Sequence, residues 1–324
     1  MSTAARLARH IIGRLVFVAV LVAVATIGAV LLARLAPGTG DGELFGTDAS
    51  TIERAEARGE DLRGRSVVDV GTQWAGRLAR LDFGDSQKYR RPVVGLVAER
   101  AARTAMLVFV AFALGLALGV GTATASAGRP GVWPGVARAA AVALQSCPPL
   151  LLAIVLSWAA WRSGWQGMAM RATGIGGWFL MLAVPALALA LPLAATLSRA
   201  HARVFVDTLR APVMLAVRAR GVREQVVRWR HALRLSAPPL IGIASALAGG
   251  MLGGSLAVEL ITAWPGLGRL AYDAFTARDT PLMAGCAAAA ALFVGVANAL
   301  GDAAIVLVDP RADAIDDGAS GGTS

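Results

Sequence analysis

Six blocks of apolar residues, each about twenty long, alternate with polar stretches along this chain. They are Leu15–Ala33, Thr104–Thr124, Ala139–Trp161, Gly176–Leu197, Pro238–Val258 and Leu282–Leu307. A helix rises about 1.5 Å per residue, so roughly 20 apolar residues cross the ~30 Å of bilayer hydrocarbon. Lipid offers no hydrogen bonds to the backbone, so each block is expected to be helical. The short alternating strands of a membrane barrel are not seen. The pattern therefore predicts an all-α membrane protein with six transmembrane helices.

The polar stretches divide the chain. A tail covers 1–14, a first span 15–35 and a long polar segment 36–103. A core of five spans follows over 104–308, interrupted by a loop over 198–237, and a second tail, expected to be disordered, covers 309–324. Within the polar segment, Gly38–Ser50 reads as loop and Thr51–Arg63 as a polar helix. Asp69–Leu81 reads as a weakly amphipathic helix, and Arg91–Arg103 as a lead straight into the second span. The first apolar block exceeds the length of a signal-peptide core, and Arg34-Leu-Ala-Pro-Gly38 is not a small-x-small cleavage site.

Charge orients these spans. The chain carries a net +10, and Ser198–Ala237 concentrates it. Arg199, Arg203, Arg210, Arg218, Arg220, Arg223, Arg228, Arg230 and Arg234 face only Asp207 and Glu224 there. The first tail adds Arg6, Arg9 and Arg14, and the turn between spans two and three adds Arg129 and Arg138. Six spans put these three regions on one side, which the positive-inside rule makes cytoplasmic. Both termini are then expected inside and segment 36–103 outside. Trp158, Trp161 and Trp165 at helical spacing, with Trp178, mark the outer interface. Only 16% of residues are charged and 56% are hydrophobic, against about 25% charged in soluble domains. The basic loop lies between spans and shows no nucleic-acid-binding motif, so nucleic acid is not an expected partner.

Catalytic chemistry finds no support. His10, His201 and His231 show no metal-ligand spacing, and there is no Gly-x4-Gly-Lys-Ser/Thr motif for nucleotide phosphates. Ser126 and Ser146 have no histidine near them in sequence, and Cys147 and Cys286 sit inside apolar blocks. No cofactor and no metal are expected on this chain.

The basic loop is too long for a turn. Met214, Val217 and Gly221, then Val222, Val226, Trp229 and Leu233, recur at three- and four-residue spacing, which predicts short amphipathic helices at the membrane surface. Gly221 permits a sharp turn between them. Read from residues alone, such a loop either lies on anionic lipid or docks a partner. Inside the spans, Asn298 and Asp302 fall one helical turn apart on one face and read either as a polar seam beside a translocation path or as an interhelical contact. Pro185 and Pro192 share a face of span four, and Pro148-Pro149 interrupt span three; these prolines read either as lining a translocation path or as structural kinks alone. The pairs Gly249-Gly250 and Gly253-Gly254 would let span five approach a neighbour closely.

These stretches carry a resemblance. Arg218-Ala-Arg-Gly221, then Arg230-His-Ala-Leu-Arg234, then Pro239 resemble the coupling loop of oligopeptide/dipeptide-type ABC transporter permeases. Arg34-Leu-Ala-Pro-Gly38, Asp82-Phe-Gly-Asp-Ser86, Arg91-Pro-Val93 and Ala98-Glu-Arg100 are similar to that family's residues, in order. So are Pro185, Pro192, Glu259, Trp264-Pro-Gly-Leu-Gly268, Arg278-Asp279 with Pro281, Asn298, Asp302 and Asp309-Pro-Arg311. The chain departs from the family at Ala211-Pro-Val213, at Leu235 and at the added Pro238.

The resemblance implies a multi-pass permease of the inner membrane that moves peptides or similar small solutes. Its implied partners are a second homologous permease, two ATPase domains that hold ATP and magnesium, and an extracytoplasmic solute-binding protein. It implies that Ala216, Val217, Arg218, Ala219, Arg220, Gly221 and Arg223 contact the ATPase. A secondary transporter and a non-transporting membrane anchor are the alternatives. No internal repeat supports the first of these.

Overall fold

The computed structural model describes residues 3–35, 67–80, 82–165, 168 and 174–308. The expectations for Gly38–Ser50, for Thr51–Arg63 and for the tail over 309–324 lie outside the described residues. Helices dominate: α1 (Thr3–Leu35), α2 (Val67–Ala79), α3 (Val93–Ser126), α4 (Val132–Ser146), α5 (Pro149–Arg162) and α6 (Gly174–Arg210). Then come α7 (Pro212–Ala219), α8 (Glu224–Val226), a π-helical turn (Val227–Ala232), α9 (Leu233–Leu235), α10 (Ala237–Thr262), α11 (Leu267–Thr276) and α12 (Thr280–Val308). Among the described residues the extended backbone amounts to one isolated bridge, Asp85 with Pro92.

Five helices are long and apolar enough to cross a membrane on their own, over Gly13–Ala33, Val93–Ser126, Gly176–Arg210, Ala237–Thr262 and Thr280–Ala304. The third expected span is not one straight helix. It is the pair α4 and α5, bent by 108° at the break between them. Proline explains the break. Cys147 leaves the helical region, Pro148 caps α5 and Pro149 takes its first turn, where a missing N–H costs nothing. By contrast, Pro185 and Pro192 lie inside α6 without ending it. Two boundaries differ from the apolar pattern. Residues 3–14 continue the first span as helix, and α6 runs past Leu197 to Arg210. Hydropathy marks where lipid ends, not where hydrogen bonding along a helix ends.

The chain forms two compact units, 1–104 with 265–295 and 105–264 with 296–324. In the first unit, Val30, Trp74, Phe83, Val93, Leu96, Leu267, Leu270 and Leu282 form a buried cluster. Asp279 organises its polar part. This fully buried carboxylate caps α12 by accepting from the Leu282 N–H, and it also accepts from the Ser86 hydroxyl and the Lys88 N–H. Nearby, the Tyr89 hydroxyl donates to Asp273 at 3.1 Å, and burial followed by the Asp273 charge raises the Tyr89 pKa.

In the second unit, α3, α5, α6 and α10 share a core rich in alanine and leucine. Lipid removes most of the hydrophobic drive for helix association, so close packing has to supply the attraction. Gly115 and Gly119, one turn apart on α3, provide it. A Cβ on Gly119 would stand 2.7 Å from the Ala194 carbonyl oxygen and 2.9 Å from Leu197 Cβ. On Gly115 it would stand 2.6 Å from Leu193 Cδ2. The expected close approach on α10 is made only in part. Gly249 abuts Asn298 and Gly254 touches Pro149 and Leu189, while Gly250 and Gly253 have nothing within 4 Å.

Candidate functional site

The basic loop folds into a compact helical elbow. Its first arm is the end of α6, and Ala211 breaks that helix by turning extended (ψ 144°). Pro212 then occupies the first turn of α7, where its fixed φ suits a helix start. After Ala219 the chain reverses at Gly221, whose φ is +75°. That left-handed conformation costs a side-chain-bearing residue roughly 1–2 kcal/mol. Nothing lies within 4 Å of the position a Cβ would take there, so the turn and not a contact within the chain selects glycine. The return arm is α8, the π turn and α9. It reaches α10 through the buried Ser236, with prolines in the first turn of the new helix.

One arginine closes the elbow. Arg218 grips Glu224 with two parallel hydrogen bonds, Nε to Oε2 at 3.0 Å and Nη2 to Oε1 at 3.1 Å. Its Nη1 also donates to the Leu209 carbonyl at 3.0 Å. The planar guanidinium thus joins the end of α6, the body of α7 and the start of α8. These bonds hold the Glu224 carboxyl below its ordinary pKa. Exposed pairs stabilise little by themselves, and the fork chiefly fixes the angle of the turn.

A second arginine was not singled out by the sequence. Arg228 is 3% exposed. Its Nε and Nη2 donate to the Thr124 carbonyl at 3.0 and 2.7 Å, and Nη2 also donates to the Ala127 carbonyl at 2.6 Å. Its guanidinium carbon lies 5.2 Å from the centroid of the Phe205 ring. Burial, then the charge of Arg129, lowers its pKa, while Glu224 raises it. Nothing in the one-dimensional pattern distinguishes this arginine from its eight neighbours in the loop.

The buried side of the elbow is Ala127, Phe205, Leu209, Met214, Val227 and Ala232, with Val217, Val222 and Leu233 packed against them. The helical periodicity placed Val226 and Trp229 on this stripe. Both are exposed instead. The reason is the π turn, in which hydrogen bonds span five residues rather than four. That spacing brings Val227 and Ala232 inward together and rotates Trp229 out.

Of the residues expected to meet a partner, Ala216, Ala219, Arg220, Gly221 and Arg223 are exposed. Val213 and Leu215 join them on the outer surface of α7. Val217 packs inward and Arg218 is engaged within the chain. The residues expected along a translocation path lie on two helices, α6 and α12. Pro185 is buried and Pro192 half-buried in α6. Asn298 and Asp302 are half-buried on α12, where Asn298 seats against Gly249 and Gly301 against Ser245. Among the described residues no group of His, Cys, Asp or Glu is arranged to hold a metal ion.

Comparison with known proteins adds independent findings. Residues 101–314 match the family described as "Binding-protein-dependent transport system inner membrane component". A probable peptide ABC transporter permease protein of Sinorhizobium fredii is 28% identical over 307 residues, covering 93% of this chain and 98% of that protein. An oligopeptide transport system permease protein of Bacillus subtilis is 31% identical over 251 residues, 74% of this chain and 78% of that protein. A glutathione transport system permease protein of Pectobacterium atrosepticum is 32% identical over 204 residues, 62% of this chain and 65% of that protein.

Proposed function

This chain belongs to the family of inner membrane components of binding-protein-dependent transport systems, as a multi-pass permease subunit of an ABC importer, and on that premise we propose its cargo and its coupling element. The cargo is a peptide or a similarly small solute, as the names of the relatives suggest. A binding protein delivers it on the extracytoplasmic side, and it passes between this permease and a homologous second one. ATP and magnesium are held by partner ATPase domains. The loop over 198–237 faces the cytoplasm, and α7 with Gly221 docks on the ATPase through Ala216, Ala219, Arg220, Gly221 and Arg223. The same reading sets Asn298 and Asp302, with Pro185 and Pro192, beside the translocation path.

One observation carries the coupling assignment. The outer surface of α7 is exposed and apolar, with the exposed Arg220 and Arg223 just beyond its end, while its inner surface is locked to α6 and α8 by Met214, Val217 and Arg218. A rigid element presented in this way can pass the movement of a docked partner to the helices behind it. Packing around the alanines and the glycine supplies the fit, since exposed ion pairs from Arg220 and Arg223 contribute only about 0–1 kcal/mol each.

The test compares Gly221→Asn with Gly221→Trp in the assembled transporter. Asparagine tolerates positive φ and is expected to keep uptake and ATPase co-purification near normal. A Cβ at 221 meets nothing within this chain, so inside the permease tryptophan carries only the roughly 1–2 kcal/mol strain of its positive φ, and its bulk is expected to clash with the docked partner. It is expected to insert normally, lose uptake and release the ATPase. Normal uptake with tryptophan, at normal expression, would sink the assignment. An anchoring role on lipid predicts instead that loss of arginines matters and Gly221→Trp does not.

A further inference from the structure

The elbow is continuous in the chain with α6 and α10, and both must follow any movement it makes. It is not adjacent in the chain to α3, from which α4, α5 and α6 separate it. From the three hydrogen bonds that Arg228 sends to the end of that helix, we infer that Arg228 is a positioning residue that ties α3 to the coupling elbow, so that ATPase movement reaches a third helix. This inference rests on the coupling reading above.

The geometry suits the task. The last carbonyls of a helix lack intrahelical partners and carry the negative end of its dipole. Arg228 meets two of them, on Thr124 and Ala127, from one planar fork. A guanidinium makes such contacts in a fixed direction, whereas an ammonium would act as a single point. The guanidinium carbon lies over the ring of Phe205 on α6, 5.2 Å from its centroid, and the side chain is buried, so water does not compete for these bonds. The π turn sets the aim, because the wider turn brings Arg228 inward beside Val227 and Ala232. Single π turns in otherwise regular helices recur at functional sites. Higher on α3, Gly115 and Gly119 lock it against α6. The helix is therefore held to the moving part at two levels, and only the lower one belongs to the elbow itself.

The experiment uses the complete transporter reconstituted in lipid with its ATPase subunits. The readout is the factor by which its binding protein, purified with the ligand it carries from cells, stimulates ATP hydrolysis. Arg228→Gln is expected to retain bound ATPase and basal hydrolysis, and to lower the stimulation about tenfold, the order of effect of losing charge-assisted hydrogen bonds. Arg228→Lys should fall between, at about threefold, because its one charge cannot reproduce the fork. Stimulation within twofold of wild type in an assembled Arg228→Gln complex would overturn the inference. If that variant does not assemble, Arg228→Lys decides. A partial loss of stimulation supports the tie, and a wild-type factor overturns it. Gly221→Trp run alongside separates the two claims. If it fails while Arg228→Gln is normal, only the tie to α3 is lost. If it transports normally, the coupling reading itself falls.

Discussion

The Ser86 hydroxyl donates to the Asp279 carboxylate at 2.5 Å, across 193 positions of sequence. Asp279 is fully buried and also caps α12, so one side chain joins the 82–92 turn to the start of the last span. Asp279→Ala is expected to cost about 2–4 kcal/mol, the sum of a lost cap and donors left unpaired. Ser86→Ala removes one donor and should cost about 1 kcal/mol. Thermal melting of the purified protein in detergent checks both. Equal, negligible shifts would show that the turn is held by its apolar residues alone.

The α3–α6 contact leaves no room for a methyl group. Gly119→Ala is expected to destabilise by about 1–3 kcal/mol, because backbone on α6 must retreat from the new carbon. Gly121 on the same helix has nothing within 4 Å, and Gly121→Ala serves as the control with little or no loss. A similar melting temperature for the two variants would contradict the tight interface.

His201 is fully buried beside Phe205, and neither ring nitrogen has a hydrogen-bond partner. A polar ring without partners gains nothing over an apolar one of like shape. His201→Phe is therefore expected to leave stability unchanged or raise it by about 1 kcal/mol, measured by melting. A marked loss would reveal that the imidazole takes part in a hydrogen bond.

Orientation can be read chemically. In a background carrying Cys147→Ala and Cys286→Ala, single cysteines at Ser50 or Ser66 should react with an impermeant maleimide added to spheroplasts. One at Ser198 should react only after the membrane is opened. Labelling of Ser198→Cys in intact spheroplasts would reverse the topology.

Asp302 is the remaining carboxylate to test. Asp302→Asn keeps the shape and hydrogen-bonding capacity, so uptake should drop modestly. Asp302→Leu leaves its neighbours without a polar partner and should do more harm. Near-normal uptake in both would show that no polar group is needed there.

The apolar blocks already located five long spanning helices, because about twenty apolar residues admit one solution in lipid, while the third block became the bent pair α4 and α5. Proline and glycine positions told where helices break or turn, at Pro148-Pro149 and at Gly221, because those residues restrict or free the backbone locally. The order of short motifs named the family. Tertiary structure decided the rest. It extended α6 to Arg210, since a helix continues beyond lipid wherever its backbone bonds continue. It turned Trp229 outward and Arg228 inward, since a π turn changes the spacing on which a 3.6-residue reading depends. It gave Arg218 to Glu224 and Arg228 to Thr124, which makes two of nine similar arginines internal clamps. Arg218 finds its partners six and nine positions away, but the carbonyls around Arg228 lie 104 and 101 positions away, and only packing brings those together.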